Sequence, residues 1–157
     1  MKIGECLKAI GGELVSGVGT KIFRGVSIDS RTLKKGELFV CIRGDRLDGH
    51  DFIEEAQSKK AAAIILSNRS NEVSRREEAP IVVRVDDTLE ALQELARFHR
   101  REMPVRVVGI TGTNGKSTTK EMTAAITEKR LKTIKTKGNL NNHIGLPLNI
   151  FHLSKED

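Results

Sequence analysis

Apolar positions at the start of the chain fall at Ile3, Leu7 and Ile10, the spacing of one helical face, and Gly11-Gly12 follows as a stop. Strand-like runs come next, ELVSG, then KIFRGVSID, then ELFVCIRG, with Lys35-Gly36 among the turn residues between them. DGHDFIEEAQSKK carries Phe52, Ile53 and Ala56 on one face and predicts a helix. AAAIILSN is apolar almost without interruption, the pattern of a buried strand. The polar stretch NRSNEVSRREEA, whose run Arg75-Arg76-Glu77-Glu78 reads as a solvated face, leads to PIVVRV, a further strand. The first half thus alternates strands and helices around one mixed sheet.

Asp87 opens a new element. With Glu90 three residues on, it resembles a capping box with aspartate at the N-cap. Leu89, Leu92, Leu95, Ala96 and His99 then line one side of a helix, which makes His99 a packed or half-exposed side chain rather than a ligand. Met103-Pro104 ends that helix, because the residue before proline disfavours helical backbone. VRVVGI predicts a buried parallel strand, TGTNGKSTTKEM a glycine turn running into a helix, and LKTIKT a second strand. KGNLNNHIGLPLNIFHL follows, with a helix starting near its end. The expected fold class is α/β: a small mixed-sheet N-terminal domain, residues 1–85, then the start of a P-loop-type parallel domain, residues 86–157. One βαβ unit is short of a doubly wound sheet, so this second domain is expected to be incomplete.

Composition adds exclusions. At 157 residues, 38% hydrophobic and 31% charged, the chain is too apolar to be disordered. No apolar run approaches the roughly 20 residues that span a bilayer. The amino end lacks a signal-peptide core, which makes a cytoplasmic location the default. Cys6 and Cys41 stand far apart among apolar neighbours and read as buried thiols. The net charge of +6 is spread along the chain, aromatics are 3%, and Trp and Tyr are absent, which argues against nucleic acid. A basic balance suits instead a small anionic substrate such as a nucleotide or nucleotide sugar.

The candidate chemistry lies in Gly112-Thr113-Asn114-Gly115-Lys116-Ser117-Thr118. A strict phosphate loop, G-x-x-x-x-G-K-[ST], would need its first glycine at Ile110, so the pattern misses. The shorter spacing keeps the physics. Two glycines let bare N–H groups approach phosphate oxygens, and the helix N-terminus supplies further N–H groups and a positive dipole end. Lys116 reaches terminal phosphates as a point charge, and the Ser117 hydroxyl is a ligand for Mg²⁺. Met122, Ala125 and Ile126 would pack the helix on its sheet.

GITGTNGKSTTKEM resembles the ATP-binding loop of the Mur ligases, whose form is G-T-x-G-K-[ST]. SIDSR (27–31), GELFVCIRG (36–44) and DGHDFIEEA (48–56) resemble the N-terminal, uridine-nucleotide-binding domain of that family. TKGNLNNHIGLPL (136–148) is similar to the MurF branch, whereas the MurE branch carries a different threonine- and glycine-bearing segment there. Folylpolyglutamate synthases share the loop but not the N-terminal domain. The resemblance implies ATP-dependent joining of D-Ala-D-Ala to UDP-MurNAc-tripeptide through an acyl phosphate, with ATP and Mg²⁺ and with no nucleic acid or membrane partner.

By the same resemblance, Gly112 to Lys116 would hold ATP phosphates, Lys116 acting catalytically, with Ser117 on Mg²⁺ and Thr118 adding a hydroxyl. Asp29, Ser30 and Arg31 would help form the nucleotide-sugar site, with Arg31 or Arg43 on the diphosphate. Gly44, Asp48 and His50 would border that site, His50 as a hydrogen-bonding group, and Asn139, Asn141 and Asn142 would face the muramyl peptide. Plainer readings stand beside these: a strand-end turn at 29–31 with Arg31 in solvent, and a helix cap at 48–51. The glutamate and histidine that hold Mg²⁺ in the family, and its third domain, would lie beyond Asp157, so the chain is expected to be a portion inactive alone. A MurE-type ligase, a stand-alone nucleotide or UDP-sugar binding module, and a small P-loop NTPase or kinase acting on another acceptor are the competing readings.

Overall fold

The computed structural model describes residues 1–67, 80–136, 138 and 140–154. Asn139 and the charge run at 75–78 therefore lie outside the described residues. The first helix, α1 (Ile3–Ile10), ends at Gly11, which takes the left-handed conformation a C-terminal stop requires. Strands β1 (Glu13–Ser16), β2 (Val26–Ser27), β3 (Leu38–Val40), β4 (Ala63–Ser67) and β5 (Ile81–Val85) form one sheet in the order β1-β5-β4-β3-β2. β1 runs antiparallel to β5 and the other pairs are parallel, so the expected mixed sheet is present. The expected strand KIFRGVSID contracts to β2, a two-residue edge strand, with Ile22 bridging Lys2 instead.

Alternation along the strands sorts side chains to the two faces. Leu38, Val40, Ala63, Ile65, Ile81 and Val83 point to one face, where α1 contributes Ile3 and Cys6. Phe39, Cys41, Ile64, Leu66 and Val82 point to the other, where Ala56 of α2 (Ile53–Ser58) covers them. Both cysteines are free, buried thiols, pushed up by burial to about 11 for Cys6 and about 12 for Cys41.

α3 (Thr88–Arg101) packs on the first face, with Ala91, Leu92 and Leu95 inside the same cluster as the strands. The sequence places this helix after a boundary at residue 85, yet its apolar stripe completes the core of the preceding sheet. Asp87 caps it, its carboxylate accepting from the N–H of Leu89 at 2.7 Å and of Glu90 at 3.0 Å. Replacing Asp87 by alanine is expected to cost about 1 kcal/mol, read as a lower urea midpoint with unchanged slope.

The second half departs from the sequence expectation. VRVVGI (105–110) and LKTIKT (131–136) are not strands, and Val107, Val108, Leu131 and Ile134 are exposed. A strand needs a neighbour to satisfy its backbone, and among the described residues neither segment joins a ladder. Among the described residues α4 (Lys116–Thr127) consequently has no sheet beneath it: Met122, Ala125 and Ile126 are exposed, and Ala124 is its buried residue. Side chains hold the unit together instead. Lys120 donates to the carbonyl of Thr136 at 2.9 Å, and Lys135 pairs with Glu121 at 2.5 Å.

α5 (Gly145–Ile150) returns to α3, with Ile144, Leu148 and Phe151 packed against the main core. Gln93 donates to the carbonyl of His143 at 3.1 Å, and His99 to that of Leu153 at 3.0 Å, so α3 grips both ends of the α5 segment. His99 is packed as expected, its ring tilted against Phe151 at 5.7 Å. Its Nε2 faces a carbonyl and must carry the proton, while the buried Nδ1 has no partner among the described residues. Burial holds the His99 pKa below the ordinary 6.5, partly opposed by the bond to Leu153. The unfolded chain therefore binds more protons here than the folded one, and stability is lost as pH falls through 6.5 toward the folded value. His99→Gln keeps a donor but cannot titrate. Its unfolding free energy should fall less than wild type's between neutral and mildly acidic pH, measured by urea titration at each.

Candidate functional site

Two groups of predicted residues gather at the carboxyl ends of neighbouring parallel strands, where open α/β sheets bind ligands. The first follows β2. Asp29 accepts from the Arg31 backbone N–H at 3.0 Å and grips the guanidinium with two further bonds, at 2.9 and 2.7 Å. That guanidinium bond is the main cause holding the Asp29 carboxyl below its ordinary pKa. Ser30 is buried and donates to Glu55 of α2 at 2.7 Å, so its hydroxyl is spent inside the protein. Lys59 closes the turn by donating to the carbonyls of Ser30 and Arg31 at 2.7 and 3.0 Å. Glu55 and Lys59 stand outside the residues that the D-S-R motif points to. Their spacing of four along α2 was the available signal.

The second group follows β3. Residues 43–48 form a closed loop, with an antiparallel bridge between Arg43 and Asp48 and the Gly44 N–H donating to the Leu47 carbonyl at 2.9 Å. Arg43 and Gly44 are exposed, and the Arg43 side chain lies 3.8 Å from the Asp48 carboxylate. Asp48 accepts from the backbone N–H of His50 at 3.0 Å, the largest cause of its lowered pKa, and from the His50 ring. It thereby caps the 3-10 turn Gly49–Phe52 that leads into α2. The sequence reading casts His50 as a hydrogen-bonder to substrate. In the structure both ring nitrogens already have partners, Asp48 at Nδ1 and the Ser67 N–H at Nε2, so the ring is committed within the protein.

The third group is the glycine loop itself. Gly112 and Gly115 take φ values of +147° and +77°, backbone that favours glycine, and Gly115 is the N-cap of α4. The first backbone bond of the helix runs from Thr119 N–H to the Gly115 carbonyl at 2.9 Å. The N–H groups of Lys116, Ser117 and Thr118 lie ahead of it, without intrahelical acceptors and open to an anion. Residues 111–119 are all exposed. The Lys116 ammonium folds over the loop onto the carbonyls of Gly112 and Thr113. Among the described residues, no hydrogen bond or ion pair joins this loop to the groups after β2 and β3.

Asn141 and Asn142 are exposed. Asn142 accepts from the N–H groups of Ile144 and Gly145 at 3.2 and 2.6 Å, so its side-chain oxygen starts α5. Among the described residues, no cluster of three or more His, Cys, Asp or Glu is placed to hold a metal ion, and no helix is long and apolar enough to cross a membrane. Ser117 fits Mg²⁺ as a single hydroxyl ligand, since that ion keeps waters and phosphate oxygens beside one or two protein groups.

Comparisons with known proteins bear on all three groups. Residues 22–100 match the model of the Mur ligase family catalytic domain, and residues 110–157 that of the Mur ligase middle domain. A UDP-N-acetylmuramoyl-tripeptide–D-alanyl-D-alanine ligase of Bacillus subtilis is 46% identical over 129 residues, covering 82% of this chain and 28% of that protein. The crystal structure of MurF from Acinetobacter baumannii aligns with 99% of this chain and 33% of its own, at 28% identity and a TM-score of 0.87. MurF from Thermotoga maritima in complex with ADP aligns with 82% of this chain and 29% of its own, at 35% identity and a TM-score of 0.71. The chain thus spans about a third or less of the length of these relatives.

Proposed function

The chain belongs to the Mur ligase family, and from that premise we propose that it supplies the N-terminal third of a cytoplasmic MurF-type ligase. That ligase joins D-Ala-D-Ala to UDP-MurNAc-tripeptide at the expense of ATP. The observation that carries the reading is the loop at 112–118, with three open N–H groups and a lysine ammonium over a glycine turn. It follows a sheet whose carboxyl edge presents Arg31 and Arg43. The names of the MurF relatives support the substrates, and the ADP in the Thermotoga maritima MurF supports ATP as the nucleotide.

A carboxylate resists amines until one of its oxygens becomes a leaving group. In the proposed reaction that oxygen attacks the γ-phosphorus of ATP and ADP departs. The amine of D-Ala-D-Ala then attacks the acyl carbon, the amide forms and phosphate leaves with the carboxylate oxygen. Lys116 and the N–H groups of residues 116–118 hold the phosphates in place and offset their growing charge. Ser117 would hold Mg²⁺, which when bound neutralises phosphate charge. Arg31 and Arg43 would anchor the diphosphate of the nucleotide sugar. Gly44 and Asp48 would shape that site's rim, and Asn139, Asn141 and Asn142 would border the peptide.

Full-length protein carrying this chain, given UDP-MurNAc-tripeptide, Mg-ATP and D-Ala-D-Ala, is expected to yield amide, ADP and phosphate in equal amounts. ATP hydrolysis indifferent to the dipeptide would reject the assignment.

A further inference from the structure

We propose that His50 is a positioning residue, the pin that holds the 43–47 finger at the carboxyl edge of the sheet, and that it touches no substrate. The inference rests on the nucleotide-sugar reading of that edge. A backbone N–H only donates, so the Ser67 N–H at 3.1 Å makes Nε2 an acceptor. The ring proton is therefore on Nδ1, where it is given to the Asp48 carboxylate at 2.5 Å. The imidazole is a strut between the last residue of β4 and the residue that closes the finger. With 16% of its side chain exposed, it has little surface left for a ligand.

The base of the finger is held as firmly from the other side. Gly49 donates to the Ile42 carbonyl at 2.9 Å, and a Cβ at Gly49 would lie 2.7 Å from the Ile42 nitrogen. What projects beyond this base is exposed: Arg43, Gly44, Asp45, Arg46 and Leu47. Two guanidinium groups on a short projecting turn are the charge that a nucleoside diphosphate requires. Long side chains lose affinity when the turn that carries them drifts. Asp48 and His50 remove that freedom before the ligand arrives.

The test is a double-mutant cycle in the full-length ligase, with the KM for UDP-MurNAc-tripeptide as readout. His50→Leu and Asp48→Ala are each expected to raise it by about tenfold, and the double variant by no more than the larger single effect. kcat and the KM for ATP should move by less than about twofold, the signature of binding lost equally from the ground and transition states. His50→Asn keeps an N–H toward Asp48 but loses the Ser67 bond that ties the ring to β4, so it too cuts the strut and should raise the KM about as far as His50→Leu. Multiplying effects in the double variant would mean that His50 meets substrate directly and would overturn the proposal. An unchanged KM in His50→Leu, or equal losses toward all substrates, would overturn it too. Should His50→Leu not fold, the cycle is run with His50→Asn and Asp48→Ala and judged by the same additivity. A wild-type protein that does not ligate removes the functional reading and this proposal together. Wild-type ligation with an additive cycle removes only the pin.

Discussion

Lys116→Ala in the full-length ligase is expected to lower ligation by at least about a hundredfold, the scale seen when one preorganised charge-stabilising group is removed. The reason is geometric. Lys116 is exposed, and among the described residues its ammonium meets only the carbonyls of its own loop, so no core packing depends on it. Its removal leaves the glycine turn and the helix N-terminus in place, and the far-ultraviolet circular dichroism should not change. Lys116→Arg should rescue poorly, because a planar fork does not occupy the place of a compact point charge between two carbonyls. An alanine variant within threefold of wild type would show that the phosphates are held elsewhere.

Leu95→Ala tests the architecture on which the site stands, and it carries the largest stability change expected. Leu95 is fully buried on α3 and belongs to the cluster formed by Leu38, Ile65 and Val83 of the sheet. Truncation removes the transfer energy of the side chain and leaves a cavity, together about 2–5 kcal/mol. That is a large share of the roughly 5–15 kcal/mol that stabilises a folded domain. Urea unfolding should show the loss as a shifted midpoint. A cost below about 1 kcal/mol would mean that α3 is not part of this core.

Much of this was legible in the sequence because local pattern and final environment agree. AAAIILSN and PIVVRV became β4 and β5, and the residues from Asp87 to Arg101 became a capped helix at the expected place. These segments find their partners within the chain. VRVVGI has the same apolar character as PIVVRV, yet it is exposed coil here, because apolar character favours a strand only when a neighbouring strand is present to pair with it. The glycine loop was legible for a different reason: its function lies in backbone geometry that two glycines and a following helix specify locally. His50 was not legible. A histidine in DGHDF offers two nitrogens to any partner, and only the fold brings Ser67, 17 residues away, to the second of them. Gln93 and His99 likewise reach carbonyls 50 and 54 residues on, contacts that no periodicity announces.

The central claim is that ATP held at residues 112–118 activates a carboxylate rather than merely being hydrolysed. It is tested most directly by labelling both oxygens of the tripeptide's reacting carboxylate with the heavy oxygen isotope and weighing the phosphate released by the full-length ligase. The account predicts one labelled oxygen in each phosphate and one retained in the amide, with at least about a hundredfold less labelled phosphate formed per unit time by the Lys116→Ala protein. Unlabelled phosphate formed alongside the amide would contradict it.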